Sequence, residues 1–335
     1  MKRKSIILLT SLMLMGLLGT ASISQEAGTW TQKANMPTAR FFPGSAVVDG
    51  KIYVIGGALV WEGLTSVAEQ TSVAEKYDPA ANTWTRCTDM PTTRHGLVAA
   101  AVDGIIYTIG GWDGDRELPT VEAYDPATDT WTTKASMPTA RSFPAIVVVD
   151  GITYVIGGYF GPKVVSVVEA YDPAADKWTT KTDMPTARSE SAACVIDGRI
   201  YVSSGGTKCN EIASDFGPVP TVEVYNPATD TWAQASDMPR TRMVHSASVV
   251  DGKMYIIGGV DFIGGELPST VDVYDPATDA WTTAADLPTT RSGHAAGVVD
   301  GRIYVIGGFN GPGTPALSIV EEFDPGLPGA IPSVR

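Results

Sequence analysis

Asp300-Gly301-Arg302-Ile303-Tyr304-Val305-Ile306-Gly307-Gly308 encodes a tight hairpin. Asp-Gly supplies the two positive-φ residues of a type I′ turn, and β-rich residues flank it on both sides. Close copies begin at Asp49, Asp103, Asp150, Asp197 and Asp251. A tyrosine follows four residues later in every copy, and a glycine doublet ends all but the fourth, where Ser204-Gly205 stands and predicts a bulged or re-aimed strand end. Spacings of 47 to 54 residues mark a repeat array that can close into one domain.

Beyond each doublet comes a variable loop, then Tyr-Asp-Pro at Tyr77, Tyr124, Tyr171 and Tyr274, with Asn226 or Phe323 as variants. Seven residues past each of the first five aromatics stands Trp84, Trp131, Trp178, Trp232 or Trp281, then Met-Pro or Leu-Pro. The period therefore holds four strands, as a propeller blade does. Ala330 replaces the sixth tryptophan, whereas Trp30 precedes the first hairpin with Met36-Pro37 at the usual distance. Residues 29–36 are thus expected to form the outer strand of the last blade, beside residues 317–323, and to close the ring. These phrases resemble the kelch-repeat β-propellers. The expected fold is an all-β, six-bladed kelch propeller over residues 25–325, with four antiparallel strands per blade, tyrosines and tryptophans between blades, and a tail at 326–335.

Lys2-Arg3-Lys4, an apolar run from Ile6 to Leu18 and small residues up to Ser24 read as a signal peptide over 1–24, implying a soluble protein exported to a periplasm or extracellular space. The formal charge of −13 argues against nucleic acid and anionic membranes as partners. Cys87, Cys194 and Cys209 are too few to staple a chain of this size and are expected as free thiols; a monomer is expected.

Arg40, Arg94, Arg141, Arg188, Arg242 and Arg291 stand nine residues before each hairpin Asp. At the start of the innermost strands they would ring one mouth of the channel, either capturing an anionic ligand or stapling their own blades to carboxylates. Some kelch propellers bind acidic peptides through arginines at this register, which the resemblance adds to the first reading. The loops on that mouth carry Trp61, Glu62, Trp112, Tyr159, Phe160, Phe262 and Phe309, and those of blades one and four are longest. Trp112, Tyr159 and Phe309 join the arginines as expected ligand contacts. Glu190 is the lone carboxylate at the start of an inner strand; it is a candidate acid or base, but the expectation is that the arginines hold it ionised in a simple salt bridge. His95, His245 and His294 share the rim, but no metal or cofactor is expected.

The leading expectation is an exported module that recognises an acidic glycan, peptide or protein through an arginine-lined face. The enzymatic alternative, implied by resemblance to N-acetylneuraminate epimerase-like kelch proteins, is a cofactor-independent isomerase of an acidic sugar such as sialic acid. A structural interaction propeller is the third reading, favoured if the arginines are engaged internally.

Overall fold

The computed structural model describes residues 28–60, 69–208, 217–261, 265, 267–311 and 314–326. The expected signal segment, Trp61, Glu62, Cys209, Phe262 and the tail beyond Gly326 lie outside the described residues. Six four-stranded antiparallel sheets stand around one channel as blades. In blade one the order from the axis outward is Gly44–Val48, Lys51–Ile55, Ala74–Asp78 and Thr83–Arg86. Both residues of every Asp-Gly turn have positive φ, near 49° for Asp300 and 73° for Gly301.

The last blade is completed from the other end of the chain. Thr29–Lys33 pairs with Val320–Asp324, placing Trp30 opposite Phe323, with their rings 4.9 Å apart. Closure gives the last blade its fourth strand and ties the two ends of the chain into one sheet. It matches the expected arrangement with a slightly shorter strand.

Blades adhere through a repeated set of contacts. Each second-strand tyrosine packs on the third-strand aromatic of the next blade: Tyr53 on Tyr124, Tyr255 on Phe323, and, across the closure, Tyr304 on Tyr77. The apolar clusters accordingly draw on two adjacent blades at a time. At the outer edge, Trp131 Nε1 donates to the carbonyl of Thr88 in the preceding blade. Thr88 N–H and the Tyr124 hydroxyl both donate to Asp129. Trp30 makes the equivalent bond to the carbonyl of Ala285, so the closing strand joins the same lattice. Cys87 and Cys194 are buried free thiols.

The fourth blade corrects one expectation. Ser204 adopts φ 48°, as the glycines at this position do, and donates its N–H to Thr221 O just as Gly56 donates to Val73 O. The strand end is neither bulged nor re-aimed. The Ser204 hydroxyl donates to Val219 O and accepts from the Arg242 N–H, local bonds that fit a serine to a glycine's conformation.

Candidate binding site at the channel mouth

The six arginines begin the innermost strands as expected, but they do not face the mouth. All are fully buried, each against a carboxylate on the third strand of its own blade. Five pairs, Arg40–Glu75, Arg94–Glu122, Arg141–Glu169, Arg188–Glu223 and Arg291–Glu321, lie at 2.6–3.0 Å, and Arg242 pairs with Asp272. The guanidiniums also donate to strand-end carbonyls, as Arg188 does to Ser204, Thr221 and Val202. In five blades the threonine of Met-Pro-Thr donates to the second carboxylate oxygen, as Thr186 does to Glu223. Blade five has Arg240 in place of that threonine and Asp272 in place of glutamate, and Arg240 reaches the same carboxylate at 3.4 Å. Burial lowers the arginine pKa values, to about 10 for Arg94 and Arg141, with the facing carboxylates opposing the shift. The expected electropositive funnel is therefore replaced by six internal clamps, in which desolvation demands a partner for every charge.

The partner was visible in the sequence. An acidic residue stands two places before the third-strand aromatic in all six copies, from Glu75 before Tyr77 to Glu321 before Phe323. An invariant acid and an invariant base within one repeat were the signal for an internal pair.

Two residues beyond each arginine lies the rim of the channel: Phe42, Gly96, Phe143, Glu190, Val244 and Gly293. All six have φ between 51° and 61°. Each donates its N–H to the carbonyl of the equivalent residue in the preceding blade. Gly96 donates to Phe42, Phe143 to Gly96, Glu190 to Phe143, Val244 to Glu190, Gly293 to Val244 and Phe42 to Gly293, at 2.7–3.0 Å. Six backbone bonds thus close a hoop around the axis. Side chains that tolerate the left-handed region poorly, Val244 above all, occupy it because tertiary bonding holds them there. The two glycines leave room: a Cβ on Gly96 would come within 2.7 Å of the Phe143 ring, and one on Gly293 within 2.5 Å of Phe42.

A cavity of about 130 Å³ sits inside the hoop. Blades one to three line it with Phe42, Pro43, Leu97, Phe143 and Pro144, and blades four to six with Glu190, Ser191, Val244, His245 and His294. It therefore has an apolar half and a largely polar half. Phe42 and Phe143 meet edge to face at 4.9 Å. Burial pushes the Glu190 carboxyl up to about 8, correcting the expectation that arginines hold it ionised: Arg188, two residues away, is spent on Glu223. His245 and His294 are pushed down to about 3, chiefly by burial with neighbouring arginines adding to it, and are neutral. Their Nε2 atoms lie 3.0 Å from Ser203 Oγ and 2.9 Å from Ser246 Oγ. His95, also neutral with its pKa lowered by burial to about 4, packs against Phe42 and Phe143 instead of joining them.

Of the expected aromatic contacts, Tyr159 and Phe309 are buried behind the hoop, against Phe143 and Phe42 respectively, and Trp112 is half-buried and bridged to His95. They shape the mouth from behind. Phe160 is instead the aromatic that the loops expose among the described residues, at 49%. Among the described residues no cluster of His, Cys, Asp and Glu could hold a metal ion, and no helix is long and apolar enough to cross a membrane.

The KLHDC2/KLHL20/DRC7 Kelch-repeats domain matches residues 17–158, 59–206 and 132–259, and the Kelch motif matches 244–288 and 290–326. The chain belongs to the kelch-repeat propellers. Among solved structures, that of YjhT superposes with a TM-score of 0.72 over 86% of this chain and 95% of that one, at 15% identity, a likeness of fold. Among sequence relatives, an F-box/kelch-repeat protein of Arabidopsis thaliana is 38% identical over 87 residues, 25% of this chain and 19% of that protein. Spermatocyte protein spe-26 of Caenorhabditis elegans is 34% identical over 104 residues, 30% and 18% of the two chains. Kelch-like protein terF of Aspergillus terreus is 41% identical over 90 residues, 25% and 18%. These matches span less than a fifth of each relative's length, so they carry the repeat.

Proposed function

We propose that this kelch propeller is a non-catalytic binding module, exported as Met1–Ser24 suggests, that presents its loop-bearing mouth to a protein or peptide partner. The observation that carries this reading is the internal engagement of all six arginines. With the repeated charges consumed by the frame, recognition falls to what differs from blade to blade: the hoop side chains and the loops bearing Trp112 and Phe160. The acidic-ligand reading loses its guanidinium clamp.

The sugar-isomerase alternative retains one supporting observation, a carboxyl with a raised pKa inside a small cavity. A thermal-shift titration separates the two. The chain from Gln25 onward is titrated with sialic acid, neutral sugars and a peptide panel at low and high salt. The expected result is stabilisation by a peptide, lost in Phe160→Ser while the melting point of the free protein is unchanged. Stabilisation by sialic acid, lost in Glu190→Gln, would replace the binding module with the isomerase.

A further inference from the structure

The channel cavity carries a more specific chemistry than its face. Glu190 is a carboxyl lining this cavity with no side-chain hydrogen bond or ion pair among the described residues, in a fold that pairs the neighbouring Arg188 with Glu223. Beside it, Ser191 Oγ and His245 Nδ1 are buried without a hydrogen-bond partner. Both atoms are sealed from the cavity, which leaves Glu190 as its acceptor. Across the cavity stand the rings of Phe42 and Phe143. A carboxylate facing aromatic rings, in a chain of formal charge −13, fits a compact cation with several N–H donors.

We infer that the cavity inside the hoop is a site for a primary ammonium group, held by Glu190 and covered by Phe42 and Phe143. The arginines nearest it, Arg188 and Arg242, are each paired with a buried carboxylate that partly offsets their repulsion of a cation. The volume of about 130 Å³ admits an alkylammonium head. The ammonium can belong to a free amine or to a lysine of the partner. Only that second source rests on the partner reading.

Isothermal titration of the chain from Gln25 onward with butylammonium, butanol and butyrate at matched ionic strength tests the site alone. Butylammonium is expected to bind at least 10-fold more tightly than either analogue. At pH 7 it should release about one proton, read from titrations in two buffers, because the arriving charge ionises Glu190. Glu190→Gln should weaken binding at least 10-fold and abolish the proton release. Phe143→Leu, a second variant that keeps the apolar wall, should weaken it about 3-fold or more. Equal binding of butanol, or unchanged affinity and proton release in a folded Glu190→Gln protein, overturns the site. A lysine-containing peptide that binds more tightly than butylammonium, and loses that advantage when acetylated, assigns the ammonium to a partner. Peptide affinity no better than that of butylammonium assigns it to a free amine and sinks the partner reading while the site stands.

Discussion

The arginine and the residue two places after it divide the labour of every blade. At the arginine position all six blades carry the same residue in the same buried pair with a third-strand carboxylate. At the hoop position they carry phenylalanine twice, glycine twice, glutamate and valine, yet every backbone makes the same bond with the same left-handed φ. Repetition of a side chain here marks a demand of the frame. Variation on an unvarying backbone marks a surface that the frame leaves free. A sixfold-repeated charge looked like a binding ring because repetition and symmetry were read as purpose. The physical test is burial, since a guanidinium with no exposed surface cannot meet a ligand.

Substitution should break this contrast most visibly at the clamps. Arg141→Ala leaves Glu169 buried without its partner and is expected to cost about 3–5 kcal/mol in urea unfolding. Replacing both members by apolar residues of similar volume should cost clearly less, because the uncompensated charge goes too. Gly96→Ala should follow at about 1–3 kcal/mol, the new methyl displacing the Phe143 ring, with a change in near-ultraviolet circular dichroism as a second readout.

Glu190→Gln sharpens the comparison through pH. The carboxyl is raised from 4.5 to about 8, so between those values the folded chain holds a proton that the unfolded chain releases. Stability contributed by that proton is present in full below 4.5 and is lost as pH rises through 8. His245 and His294, lowered from 6.5 to about 3, act oppositely, with stability lost as pH falls from 6.5 toward 3. The variant should therefore melt above the parent protein at pH 8.5 and close to it at pH 5, by scanning calorimetry in both buffers. Val244→Gly should have the smallest effect, within about 1 kcal/mol, since relief of a strained φ offsets the entropy that glycine adds to the unfolded chain.

The fold was legible because turn chemistry and aromatic spacing are local and recur six times. Even the closure could be deduced, from Trp30 standing where the last repeat lacks its tryptophan. The clamps were half legible: the arginine phrase stands out, while the acid before Tyr77 and its equivalents lie 28 to 35 residues away along the chain. The hoop was not legible at all. Nothing in Phe42, Phe143 or Val244 announces a positive φ, and bonds between residues about fifty positions apart leave no pattern in residue type. Glu190 stands out as the odd member of its register, but its neutral state does not show in the sequence, because nothing there reveals that Arg188, two places before it, is engaged by Glu223.

The hoop also has an electrical consequence. In a helix, aligned peptide groups leave a partial positive charge at one end and a negative one at the other, and such ends attract ions by themselves. Here six peptide groups point the same way around a circle, head to tail, with neither a first nor a last. Their dipoles cancel across the axis. The backbone holds the aperture together while giving it almost no polarity of its own, so its electrical character is left to the side chains that stand on it, Glu190 among them.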